Sequence, residues 1–483
     1  MYIPKGAVFL KILYASSEAL PFMASGGLGD VAGALPKALR QRLVGCRVVM
    51  PLYSGIKQEL RENMQFITHI SVPVAWRRQY CGIFEAKVDG VIYYLLDNEY
   101  YFKRDGIYGH YDDAERFAFF SRAVLEIIPY IDFKPDIIHS NDWQTAMIPV
   151  YYSTLYANRE GYEGIKNIFT IHNIQYQGIY GKEILADVLG IQQQNEQLLE
   201  FSGDINLMKG AIECADAVTT VSPTYAREIL DPWFSHGLDP ILRDRRYKLC
   251  GILNGIDVDV YDPATDKALA KNFSAEDLSG KVEDKADLQR TFSLPEKPDV
   301  PIIGMVSRLV SHKGLDLVKA VLYELLETTD VQLVVLGTGD WEYENFFREV
   351  AARFPSKVGL RIAFVPELAR KIYAGSDIFL MPSKSEPCGL SQMLALRYAT
   401  LPVVRETGGL KDSISDCGDG KGNGFTFKSY NAHDMLGAIR RALAAYSDKA
   451  FWASLTQRAA ECDNSWGRSA REYMRLYRQV LGK

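Results

Sequence analysis

Arg308 and Lys313 follow an apolar run at 301–307 and precede a helical pattern that opens at about Gly314. Cations at the carboxyl end of a strand, beside a helix start, can clamp a diphosphate: arginine supplies a planar fork and lysine a point charge. Two solvated loop charges would read the same way on this segment alone. Further along, Glu386 sits in a turn bracketed by Pro382 and Pro387, and Cys388, Gly389, Leu390 and Ser391 lead into the next helix. A carboxylate there can accept hydrogen bonds from sugar hydroxyls, while the N–H groups of Gly389 and Leu390 can meet a ligand oxygen or phosphate. The plainer alternative is a carboxylate that complements a helix N-terminus. Cys388 has no histidine near it in sequence to activate it, so it reads as a small, semi-buried thiol and not as a nucleophile.

The first half carries polar groups of the same kind. Gly26, Gly27, Gly29 and Gly33 fall where the first strand turns into a helix. Such a turn either holds an anion on its bare N–H groups or is simply tight. A dinucleotide site would want an acidic residue about 20 positions on, at the end of the next strand. That strand, Arg47 to Pro51, has none. Asp142 and His172 lie at two successive strand ends and are expected to project toward a cleft. An isolated histidine is more often structural, but two polar clusters at neighbouring strand ends favour function. Gly408 and Gly409 follow another strand and suit close approach by a ligand. Asp257 and Asp259 have the spacing of a short acidic motif that holds a metal–diphosphate, yet they lie in an inter-domain turn, and neither a metal nor a cofactor is expected.

These groups need a scaffold that delivers strand ends. Apolar runs at 301–307, 331–337, 361–366, 377–383 and 401–407 alternate with amphipathic helical patterns. Continuous apolar strands between such helices mean a parallel sheet covered on both faces, with ligands outside the strands' carboxyl ends. The first half repeats this at 7–15, 46–53, 136–141, 167–173, 217–222 and 248–255, and an insertion near 66–96 alternates like antiparallel strands. The polar stretch from Asp257 to about Pro301 reads as a linker with short helices. The fold class is therefore α/β: two doubly wound Rossmann-like domains facing each other across a cleft. The boundaries fall at 1–258 and 259–466.

Composition narrows the class. The chain has 483 residues and a formal charge of −5, with no block of one sign. That demotes a nucleic-acid partner, which would want a basic stripe. No apolar run reaches the roughly 18 residues of a membrane span, so no membrane is expected as a partner. Seven cysteines without paired spacing suit a reducing compartment. The start reads as a first buried strand, not a signal or transit segment, so a bacterial cytoplasm is the expected location. Most of the 28 Tyr, 22 Phe and 6 Trp must be core, although aromatics also stack on sugar rings.

Taken together, the motifs at 26–36, 111–123, 139–144, 169–178, 254–257, 307–316, 382–392 and 407–412, and the closing segment from Ser465, resemble the bacterial glycogen synthase and starch synthase family from about Lys11 to the end. The resemblance implies the GT-B architecture and retaining transfer of glucose from ADP-glucose to an α-1,4-glucan, glycogen or starch. It implies an acceptor-side first domain, a donor-side second domain, and a final helix at about 467–483 that packs back on the first. It gives Arg308 and Lys313 the departing diphosphate, Glu386 the donor glucose, His172 a place against that glucose, and Asp142 the sugar hydroxyls. It puts Gly26, Gly27, Asp30, Asn173, Asn254, Cys388, Gly389, Leu390, Ser391, Gly408 and Gly409 around the donor. Two positions depart from wider patterns. Ala24 stands where the family often has a nucleotide-sugar lysine, which opens donor preference between ADP-glucose and UDP-glucose. Leu394 stands where broader transferases carry a ribose-binding glutamate, which matches the synthase type. A related transferase with another acceptor, and a glucan-binding relative without turnover, are the competing readings.

Overall fold

The structure is a computed structural model that describes residues 10–483; residues 7–9 of the expected first strand lie outside that range. The chain divides into two units. The first runs up to Val221 and also takes Ala226–Asn254 and Trp466–Lys483; the second holds Ser222–Tyr225 and Gly255–Ser465.

The first unit is built on strands β1 (Lys11–Ala15), β2 (Gly45–Pro51), β3 (Gln65–Val74), β4 (Arg77–Val88), β5 (Val91–Asp97), β6 (Ile137–Asn141) and β7 (Lys166–Ile171). Short strands β8 (Ile179–Tyr180), β9 (Glu200–Phe201), β10 (Asp204–Asn206), β11 (Ala217–Thr220) and β12 (Leu249–Gly251) follow. The main sheet has the order β12-β11-β7-β6-β1-β2-β5-β4-β3. β6 and β11 are buried along their whole length, as strands covered on both faces must be. β3 and β4 are antiparallel, in keeping with their alternation, and β5 joins β2 in parallel, so the insertion extends the main sheet. β8, β10 and β9 form a small antiparallel sheet that two- and three-residue strands did not announce in the sequence. Helix Trp466–Val480 lies in this unit, against helix Gly27–Arg40. The Tyr477 hydroxyl meets buried His139 Nδ1 at 2.8 Å.

The second unit carries β13 (Ile302–Val306), β14 (Gln332–Leu336), β15 (Val358–Arg361), β16 (Ile378–Met381), β17 (Leu401–Arg405) and β18 (Phe425–Phe427), in the order β15-β14-β13-β16-β17-β18. All pairings are parallel. Two expectations need correcting. The strand expected at 361–366 ends at Arg361 instead: Phe364 is 88% exposed and Pro366 is the first residue of helix Pro366–Gly375, where proline's missing N–H costs nothing. The stretch from Asp257 to Pro301 is no mere linker. Helix Lys281–Thr291 puts Leu288 into a core with Leu294, Ile302, Val334, Leu336 and Ile372. Its face is disguised by two lysines, Lys285 buried and Lys281 half-buried. Lys281 Nζ lies within hydrogen-bonding distance of the carbonyls of Ala374 (2.6 Å), Ser376 and Tyr398 (both 3.0 Å) and of Thr400 Oγ1 (2.8 Å), and burial pushes its ammonium down to about 7. Lys285 pairs with Asp377 at 2.8 Å.

Each of the two large sheets has one switch point. In the first unit β1 is flanked by β2 and β6, and in the second β13 is flanked by β14 and β16. Successive connections leave in opposite directions there, opening a crevice at the carboxyl ends.

Candidate functional site

In the second unit the loops after β13, β16 and β17 meet at the switch point. The β13 loop passes exposed Arg308, makes a tight turn over Ser311–Lys313 and enters helix Leu315–Thr328 through Gly314, whose φ is 74°. A Cβ at Gly314 would strike the Pro382 carbonyl, so only glycine lets this loop lie on the one after β16. Lys313 Nζ then donates to Glu386 Oε2 at 2.7 Å, and Ser383 Oγ donates to the same oxygen at 2.9 Å. Glu386 is 7% exposed. Burial opposes its ionisation, but the Lys313 charge and these two hydrogen bonds prevail and hold its carboxyl below the ordinary range. An ammonium has three donors, so two remain for a ligand. Burial, then the charges of Lys313 and Arg308, push neighbouring His312 down to about 4.

The third loop closes on the second. Gly409 N–H donates to the Glu386 carbonyl at 3.1 Å, and side chains at Gly408 or Gly409 would collide with the backbone of Glu386 or Cys388. These glycines thus serve close approach of backbone to backbone. Buried Gln392, overlooked in the sequence, ties the same turn together: its Nε2 lies within hydrogen-bonding distance of Cys388 O (3.1 Å), Gly389 O (2.9 Å) and Ser413 Oγ (3.0 Å). Gly389 has φ 71°, Cys388 is buried, and Tyr373 donates to Ser391 Oγ at 3.2 Å. Leu390 caps helix Ser391–Arg397.

In the first unit the ends of β6 and β7 bring Asp142, His172 and Asn173 together. Asp142 has φ 56°, a conformation that costs aspartate of the order of 1–3 kcal/mol. It is held there because Oδ1 accepts the N–H of His172 at 2.7 Å and of Asn173 at 3.4 Å. Burial raises its carboxyl to about 7 despite those bonds. Burial also pushes His172 down to about 3, so the ring is neutral. After β1, Gly26 is extended and Gly27 opens helix Gly27–Arg40, while the Ser25 N–H donates to buried Glu18. A Cβ at Gly29 would overlap that of Ala24, so the loop packs down on the helix. Burial raises Asp30 to about 6. Asn254 is buried with Oδ1 unpartnered among the described residues. Asp257 Oδ1 accepts the N–H groups of Asp259 and Val260, a turn-capping role.

Two doubly wound units, with an ammonium and a carboxylate locked at the switch point of the second, are the build of the GT-B class of glycosyltransferases. A family model for the starch synthase catalytic domain matches residues 11–244, and one for glycosyl transferases group 1 matches 288–458. The chain belongs to the glycogen and starch synthase family. It is 51% identical over 476 residues to a glycogen synthase of Bacillus cereus (strain ATCC 10987 / NRS 248), covering 98% of this chain and 100% of that protein. It is also 51% identical over 478 residues to one of Geobacillus stearothermophilus, covering 98% of each. Its structure matches the catalytic domain of starch synthase IV from Arabidopsis thaliana, bound to ADP and acarbose, with a TM-score of 0.91 and 35% identity over 98% of this chain and 100% of that one. A sucrose-phosphate synthase from Thermosynechococcus elongatus shares the fold at a TM-score of 0.61 and 17% identity, over 98% of this chain and 99% of that one. No helix among the described residues is long and apolar enough to cross a membrane.

Ser383, Gln392 and Asn141 are the supporting residues that sequence reasoning missed. Each acts through hydrogen-bond partners far away in sequence or hidden by a turn, which leaves no periodic signal. His139, beneath the site, offers a separate check on this packing. Its ring nitrogens meet Tyr477 and, at 2.6 Å, Thr170 Oγ1, and burial pushes it down to about 3. An unfolded histidine titrates near 6.5, so below that pH the unfolded chain takes up a proton that the folded ring refuses. Folded stability is then lost at up to about 1.4 kcal/mol per pH unit. His139→Gln has no such proton. The stability lead of the wild type over this variant, from denaturant melts, should narrow as pH falls from about 6.5 to about 4. A lead independent of pH would contradict this account.

Proposed function

We propose that this chain transfers glucose from ADP-glucose to the non-reducing 4-hydroxyl of an α-1,4-glucan, with retention at the anomeric carbon. The observation that carries the reading is the Lys313–Glu386 pair at the second switch point, in a chain of this family. A glycosidase needs an acid to protonate a poor alkoxide leaving group and a second carboxylate beside it. A nucleoside diphosphate leaves as a stabilised anion, so the requirement is preorganised positive charge. Lys313 and Arg308 meet it, and Glu386 holds the ammonium in place while its remaining lone pairs accept from glucose hydroxyls. Asp142 and neutral His172 take further sugar hydroxyls, and the backbone at Gly26 and Gly27 approaches phosphate. In the step itself the bond from C1 to the phosphate oxygen breaks and that from C1 to the acceptor O4 forms. The 4-hydroxyl proton passes to the departing oxygen on the same face.

UDP-glucose is a second reading of the donor, a choice that Ala24 opens. Labelled glucose offered as ADP-glucose and as UDP-glucose, with glycogen as acceptor, separates the two. Incorporation is expected chiefly from ADP-glucose, and none from it would overturn the reading. Ala24 is exposed, so a lysine fits there. A charged hydrogen bond is worth about 1.5–3 kcal/mol, so Ala24→Lys should lower the donor KM by about tenfold or more. An unchanged KM would mean that this loop does not meet the diphosphate.

A further inference from the structure

The end of β6 holds a side chain to which the reaction above gives no task. Asn141 is wholly buried, with both ends of its amide engaged. Nδ2 donates to the carbonyls of Ala15 at 2.9 Å and His139 at 3.4 Å. Carbonyls cannot donate, so they decide which way round the amide lies. Oδ1 therefore faces the other side, where it accepts from the Tyr14 hydroxyl at 2.9 Å and lies 2.9 Å from His172 Nε2. An amide oxygen has no hydrogen to give. The proton in that contact must sit on the histidine nitrogen.

We propose that Asn141 is a positioning residue that holds His172 as the neutral ring protonated on Nε2, leaving Nδ1 with its lone pair. In this form Nδ1 accepts and cannot donate. It can therefore take the hydrogen of a hydroxyl, and it turns away carbonyl and phosphate oxygens, which offer none. This use rests on the reading of His172 as a residue that faces a sugar. The tautomer itself rests only on the network. Tyr14 and Ala15 end β1, Asn141 ends β6 and His172 follows β7, so one amide ties three neighbouring strand ends at the switch point. Burial also pushes His172 down to about 3, which keeps the second nitrogen unprotonated.

The test labels the histidines of the full chain with 15N and picks out the His172 ring by its loss in His172→Gln. One neutral ring protonated on Nε2, unchanged between about pH 8 and about pH 5, is expected. A ring protonated on Nδ1, or an imidazolium in that range, would overturn the proposal. Kinetics supply the second readout. Partners that set the tautomer of a metal-binding histidine are worth about 10–100-fold, and Asn141→Leu should lower glucosyl transfer by a similar factor. In the His172→Gln background the same substitution should change little, because the group it acts through is gone. Equal losses in both backgrounds would show a merely structural role and defeat the proposal. An inactive wild type would instead defeat the glucosyl-transfer reading, and the labelled spectrum would still decide the tautomer.

Discussion

Lys313→Ala is expected to keep the fold and lower turnover by about 100–1,000-fold, the range for losing one preorganised group that stabilises developing charge. The Lys313 side chain is 18% exposed and its ammonium stands 2.7 Å from Glu386, so the substitution also leaves a buried carboxylate without its counter-charge. Breaking a buried pair in this way costs about 3–5 kcal/mol unless the survivor is neutralised. Here it can be, by taking up a proton. In the wild type the lowered carboxyl contributes stability that is present above its unfolded value and is lost as pH falls through the folded one. In the variant only the Ser383 hydrogen bond still opposes burial, so the carboxyl rises, and the variant's stability is best in acid and declines as pH rises. The stability gap between wild type and variant, from denaturant melts at about pH 5 and about pH 8, should therefore widen with pH. Near-normal turnover in a folded variant would remove Lys313 from the chemistry. A gap that ignores pH would remove the pair.

Glu386→Gln should lower turnover by a comparable factor of about 100 or more, but with the opposite signature in binding. The amide keeps the shape of the carboxylate and loses the charge that competes with a diphosphate for Lys313. ADP binding, measured by calorimetry, should therefore weaken in Lys313→Ala and hold or tighten in Glu386→Gln. A loss of turnover without a loss of product affinity marks an interaction that matters in the transition state more than in the ground state. If Glu386→Gln binds ADP as poorly as Lys313→Ala does, the carboxylate is only a prop for the cation. Ser383 gives a route to the same point, because its hydroxyl is the second donor to Glu386 Oε2, at 2.9 Å.

Alternation of apolar strands with amphipathic helices is legible along the chain, and with it two doubly wound units and the strand ends where Asp142, His172, Arg308, Glu386 and Gly408 lie. Periodicity is a local property, and burial on both faces writes it into every strand. Where apolar content and burial part company, the reading failed. The apolar run to Pro366 ends as a strand at Arg361, and the charged helix at Lys281–Thr291 belongs to the core because its lysines reach backbone carbonyls across the unit. Folding in three dimensions brings Lys313 and Glu386, 73 positions apart, into one ion pair, and Asn141 to His172 across 31. Such partnerships depend on distance and angle between groups from separate strands. No spacing along the chain encodes them, because the parallel sheet, and not the sequence between, sets which strand ends are neighbours.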